Sequence, residues 1–150
     1  METWKWVLRK GLLPLLSGES LKALREALAT DDPQLIQGGT TKPGLPLACV
    51  QDLEPEGACL IAYAGWKGND LQTIGEVEEY FARVCYDMDY VLEEPAGCRP
   101  LLNWYDDSPR DVMRAELLRE IKAEQVRRIF VCSSQPINST SSVMVSCSES

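Results

Sequence analysis

The sequence predicts a mainly α protein, an irregular bundle of about four helices joined by long Pro/Gly-rich connections. Two observations carry that prediction. Apolar residues recur at helical spacing in three separate stretches, near 20–30, 74–92 and 110–128. Helix-start chemistry stands ahead of the last two: Thr73 with Glu76, and Ser108 with Pro109. The chain has 150 residues, 45% hydrophobic and 25% charged, an ordinary balance for one packed core. The expected organisation is a single helical domain over 1–131 and a disordered Ser-rich tail over 132–150.

Residues 1–16 fit two patterns. Trp4, Trp6 and Leu8 alternate as a strand does; Trp4, Val7, Leu8, Leu12, Leu15 and Leu16 recur as a helix does. Gly11 and Pro14 argue against one long helix. The expectation is a short N-terminal helix that docks its aromatic residues on the core. Lys5, Arg9 and Lys10 beside two Trp also offer contact with an anionic membrane surface.

The first clear helix starts near Ser17 or Ser20. Leu21, Leu24 and Leu28 form its apolar stripe, and Asp31-Asp32-Pro33 stops it. Asp32 then caps a short helical turn that Gly38-Gly39 ends. Residues 38–57, GGTTKPGLPLACVQDLEPEG, read as an extended surface loop. The run Glu56 to Trp66 is apolar throughout. Its small residues favour a helix, and its length leaves a buried strand open. Gly65-Trp66-Lys67-Gly68-Asn69-Asp70 reads as a turn.

The strongest local signal is 73–94. Thr73 and Glu76 have capping-box spacing, and Val77, Phe81, Val84, Met88 and Val91 form one seam at intervals of four and three, which Tyr80, Cys85 and Leu92 widen. An oligomer built on that seam is one expectation. Pro95 and Gly97 end the helix. Residues 96–107, AGCRPLLNWYDD, read as a connection with apolar content. The last helix starts at Ser108-Pro109-Arg110-Asp111 and runs to about Arg128. Met113, Leu117, Leu118 and Ile121 face inwards, with Glu120 and Glu124 on the polar side. From Cys132 the chain turns Ser/Thr-rich, with no amphipathic period and almost no charge.

Composition excludes more chemistry than it suggests. There is no His, so no Ser-His-Asp triad, Cys-His dyad or H-E-x-x-H zinc site is available. The six cysteines, Cys49, Cys59, Cys85, Cys98, Cys132 and Cys147, contain no C-x-x-C pair. The short run Gly11 to Leu16 is no export signal, and no stretch approaches the ~18 apolar residues of a membrane span. The expectation is a cytoplasmic protein with mostly free, buried thiols. Cys98, beside Arg99, is the thiol to test for reactivity.

The net charge is -8, and the excess acidity lies in the middle: residues 43–107 carry thirteen acidic and three basic groups. Direct nucleic-acid binding through a broad basic surface is therefore not expected. Glu76, Glu78, Glu79, Glu93, Glu94, Asp106, Asp107 and Asp111 are the acidic candidates. They lack a diagnostic metal or acid–base spacing, so no metal site, cofactor or catalytic residue is assigned. Trp66 and Trp104, read as loop aromatics with the polar neighbours Asn103, Asp106 and Asp107, are the candidate binding residues.

The strings CVQDLEPEGACLIAYAGW, TIGEVEEYFARVC and EPAGCRPLLNWYDDSPRDVMRAELL resemble short bacterial proteins of unknown function, over roughly residues 20–125. That resemblance implies no activity, ligand or catalytic residue. The expected function is a small acidic, non-enzymatic module that binds another protein, with a basic protein as the natural partner. Two alternatives come from other classes. One is a divalent-metal enzyme using Asp106, Asp107 or Glu76. The other is an acidic mimic of nucleic acid.

Overall fold

The computed structural model describes residues 1–44 and 46–133. It is mainly helical. The α-helices among the described residues are α1 Thr3–Val7, α2 Gly18–Thr30, α3 Leu47–Val50, α4 Leu60–Gly68, α5 Ile74–Leu92, α6 Arg99–Asp107 and α7 Arg110–Ser133. Two short strands, β1 Thr41–Lys42 and β2 Gly57–Ala58, pair antiparallel, Thr41 opposite Ala58 and Lys42 opposite Gly57.

The expected count of about four helices is too low. Helices α2, α4, α5 and α7 stand where the sequence places them. The other three are short and lie in stretches with weak local signals. Isolated helices of that length are marginal in water, so tertiary packing must hold them. Helix α1 packs on α6 and continues into a π turn, Leu8–Leu12, and a 3₁₀ turn, Leu13–Leu15. Gly11 makes this turn possible: a Cβ there would sit 3.0 Å from Leu92 Cδ1 of α5. Trp4 docks in the core while Trp6 remains exposed.

Helix α2 begins as its cap predicts, with Ser17 Oγ accepting from the Ser20 amide at 3.1 Å. It closes at Asp31, which adopts a left-handed conformation at φ 55°. The short turn expected after it is a single one: the Leu35 amide donates to the Asp32 carbonyl at 3.0 Å, and Asp32 Oδ1 accepts from the Gln34 amide at 2.9 Å as a cap does. It ends at Leu35 rather than at Gly38, where the chain leaves as an extended strip beside Ala58. The long surface loop expected over 38–57 contains β1 and α3. Backbone pairing explains the difference, since an unstructured run against the core would leave amides and carbonyls without partners. Ala58 alone exchanges bonds with Gln34 and Ile36, at 2.8 and 2.9 Å.

Helix α4 is the centre of the molecule. Residues 57–66 are all buried, as befits a helix apolar on every face. Helix α2 lies on one side of it and α5 on another, while α7 covers the far side of α2. The contact between α2 and α4 is close. Ser20, fully buried, donates to the Ala64 carbonyl at 2.8 Å. Gly68 is the residue that permits the approach, because a Cβ there would collide with the Ser20 backbone and hydroxyl.

The capping box of α5 forms as read, with the Thr73 hydroxyl taking the Glu76 amide and Glu76 taking the Thr73 amide. The seam is correct at Val77, Val84 and Met88 but not at its end. Val91 is exposed, and Leu92, which widens the seam, is buried. A straight helix turns every 3.6 residues, so a 3.5-residue pattern drifts off the core face within two heptads. The seam is covered by α4 and the Leu8–Leu12 turn of the same chain.

Helix α7 overruns its expected end at Arg128 and reaches Ser133, past the expected start of the tail at Cys132. The rest of that tail, residues 134–150, lies outside the described residues. Glu120 and Glu124 are not on a solvated face: they are 5% and 8% exposed. Each is buried because arginines cover it. Arg9 reaches Glu120 from the N-terminal turn; Arg127 and Arg128 fold back on Glu124 at 2.6 and 2.9 Å. Arg110 and Arg114 stitch the other end of α7 to the C-terminus of α2, at Asp31 Oδ1 and the Leu28 carbonyl, where the helix dipole favours cations.

Candidate functional site

The residues expected to bind a partner are placed as follows. Trp66 is not in a loop. Helix α4 runs on to Gly68 and carries it into the core at 6% exposure, edge-on to Tyr63 at 6.1 Å. The Lys67 ammonium lies 4.0 Å over its ring. Asn103, Trp104, Asp106 and Asp107 stand together on α6, a helix where a connection was expected. Trp104 is half-buried and stacks on Trp4, with centroids 3.6 Å apart and planes 6° from parallel. Asp106 accepts from the Gly38 amide at 2.9 Å. Asn103 and Asp107 are exposed. The two tryptophans thus turn to different partners and do not share a surface patch built on both rings.

Two carboxylates of the metal alternative, Asp106 and Glu76, accept backbone amides. Glu76 serves the capping box, and the Gln72 and Thr73 amides hold its carboxyl below the usual range. Among the described residues, no group of three or more Cys, Asp or Glu side chains converges on a point that could hold a metal ion.

A different surface combines exposed aromatic area with charge. It lies at the C-terminal end of α5. Tyr86 and Tyr90 are 72% and 79% exposed and stand one turn apart, on the side away from the buried seam. Val91 is exposed beside them. The two rings, Asp89, Glu93, Glu94 and Pro95 line a shallow depression of about 350 Å³. Its shape follows from the way the helix ends. Glu93 takes the left-handed conformation at φ 54°, and Pro95 cannot continue the helix. The Asp89 carboxylate then accepts the amides of Ala96 at 3.2 Å and Gly97 at 2.8 Å, which pins the turn beside Tyr90.

The ledge is electronegative three times over. It holds three carboxylates, the negative end of the α5 dipole and the electron-rich faces of two phenol rings. None of the ion pairs among the described residues includes Asp89, Glu93 or Glu94. Glu93 and Glu94 are among the acidic candidates read from the sequence; the tyrosines are not. The signal for them is their spacing of four on the face opposite Val84 and Met88.

Two other surfaces are less suited to binding. A groove of about 660 Å³ between the N-terminal turn and α7 holds Arg9, Lys10, Glu120, Glu124 and Arg127, but four of these five charges are paired with one another. The far end of α7 exposes Val126, Ile129 and Phe130.

No protein-family model matches the chain, and no curated protein or solved structure is significantly similar to it. No helix among the described residues is long and apolar enough to cross a membrane.

Proposed function

We propose that the protein is a small binding module that docks a basic segment of another protein on the Tyr86–Tyr90 ledge. One observation carries the reading: two almost fully exposed tyrosines stand over a carboxylate rim that has no cation of its own. Tyrosine supplies contact area at low entropic cost and is enriched where interfaces concentrate their energy. A Lys or Arg head over an exposed ring gains about 0.5–1 kcal/mol. The rim carboxylates speed association and select the sign of the partner more than they add affinity. The acidity of residues 43–107 extends the same preference over a wider surface. The expected complex is therefore modest in affinity and weakened by salt.

Anisotropy of a labelled Arg/Lys-rich peptide tests this. Binding should saturate, weaken as salt rises, and fall roughly tenfold in the Tyr86→Ala, Tyr90→Ala double variant, the loss of about 1.4 kcal/mol. Asp107→Asn on α6 should leave it unchanged. Should Asp107→Asn weaken binding as much as the tyrosine changes do, general acidity rather than the ledge would be the determinant, as in an acidic mimic.

A further inference from the structure

The groove between the N-terminal turn and α7 suits a basic segment less well than the ledge does, and the reason fits it for the opposite charge. Its acceptors are already engaged. Glu120 Oε1 and Oε2 take Arg9 Nε and Nη2 at 2.7 and 2.9 Å. Glu124 Oε1 takes Arg127 Nε at 3.0 Å; its Oε2 takes Arg127 Nη2 at 2.6 Å and Arg128 Nε at 2.9 Å. All four oxygens have a donor, and both glutamates are buried. The backbone adds little. The Leu13 and Leu16 carbonyls at the end of the turn each accept from Arg128 Nη2 at 2.8 Å.

The donors, by contrast, are in excess. A guanidinium carries five N–H groups, and Arg9 and Arg127 each give a glutamate only two. Nη1 of Arg9 meets just the Met1 thioether at 4.0 Å, a weak acceptor. The two arginine side chains are 44% and 57% exposed, so their remaining donors are within reach. Lys10, also exposed, belongs to none of the ion pairs among the described residues. Four cations, Arg9, Lys10, Arg127 and Arg128, stand against two carboxylates, which leaves +2 here in a chain of -8. The rest of the wall is apolar: Leu13, Pro14 and Ala123. The volume of about 660 Å³ lies within the ~300–1,000 Å³ of small-molecule sites.

We infer that this groove binds a small organic anion, a carboxylate with a short aliphatic tail. The carboxylate takes the remaining N–H groups of Arg9 and Arg127, with the Lys10 ammonium beside them. The tail lies along Leu13, Pro14 and Ala123. A guanidinium fork matches the two oxygens of a carboxylate and is weakly hydrated, so it gives up its water readily. Each guanidinium is already held by a buried glutamate, so it loses little freedom when the anion arrives. The inference goes beyond the binding role of the ledge and shares no residue with it.

Octanoate added to the labelled full-length chain tests it by NMR, with octanol and acetate for comparison. Octanoate should give saturable shifts centred on residues 9–14 and 120–127, the Arg9 and Arg127 Nε–H signals among them. Octanol lacks the charge and acetate lacks the tail, so each should bind roughly tenfold more weakly or worse. Lys10→Ala should weaken octanoate roughly two- to fivefold, the range of one exposed ion pair. Ala123→Glu puts a carboxylate on an exposed position one turn before Arg127, where it competes for the same guanidinium. That variant should lose octanoate binding and keep its melting temperature. Octanol binding as tightly as octanoate would overturn the inference, and so would shifts centred outside the groove or full binding by Ala123→Glu. Sedimentation with phosphatidylserine vesicles and no response to octanoate would overturn it in favour of a membrane surface.

Discussion

Glu120, buried on α7, accepts two hydrogen bonds from the Arg9 guanidinium, at 2.7 and 2.9 Å, across 111 residues of chain. The pair fastens the N-terminal turn to the last helix. The Arg9 hydrogen bond holds the Glu120 carboxyl below its ordinary range, against burial. For Glu124 burial acts the other way, but Arg127 and Arg128 outweigh it and the net shift is also downward. A carboxylate lowered in the folded state stabilises it above the unfolded pKa and loses that contribution as pH falls through the folded value. Urea unfolding should therefore show stability falling below about pH 4, the ordinary glutamate range. Glu120→Gln should flatten part of that fall and lower stability at pH 7. An unchanged pH profile in the variant would remove Glu120 from the acid response.

Gly68→Ala is expected to destabilise the protein by about 1–3 kcal/mol, the usual cost of overpacking. The new methyl group would have to displace the Ser20 backbone, which cannot rotate away as a side chain can. At Gly39 nothing lies within 4 Å of the added carbon. Gly39→Ala should therefore leave thermal unfolding nearly unaltered, and the two melts compared side by side check the claim.

The stack of Trp4 on Trp104 should give a near-UV circular dichroism band that either Trp4→Phe or Trp104→Phe diminishes. Trp4→Ala should cost about 3 kcal/mol or more, as large-to-small changes in cores do. Trp6, exposed on the same helix, should tolerate Ala within about 0.5 kcal/mol. Equal losses at Trp4 and Trp6 would mean that α1 is not docked through Trp4.

What the sequence reveals follows the range of each interaction. Ser17 and Thr73 mark helix starts correctly, because a cap acts within three or four residues. Helix α7 starts at Arg110 close to its expected place, but the Ser108 hydroxyl donates to the Trp104 carbonyl and closes α6. The stripe Met113, Leu117 and Ile121 is buried as read, because α7 places those residues on one face. The local pattern places Glu120 towards solvent, because its partner Arg9 lies in another element. The glycines on either side of Trp66 are turn signals, and they point to a turn there. In the fold Gly65 serves packing instead: a Cβ there would strike the Tyr80 ring. Tyr86 and Tyr90 drew no attention because a buried seam is found by its apolar residues, whereas a binding face is what that seam leaves outside.

The binding role of the ledge is tested most directly by NMR. Amide shifts of the labelled protein would be followed while an unlabelled Arg/Lys-rich peptide is added. The expected result is a saturable set of changes centred on residues 86–95, moving in fast exchange and shrinking as salt is raised. Changes spread evenly over every acidic surface, or centred on α6 at Asn103 and Asp107, would contradict a site at Tyr86 and Tyr90.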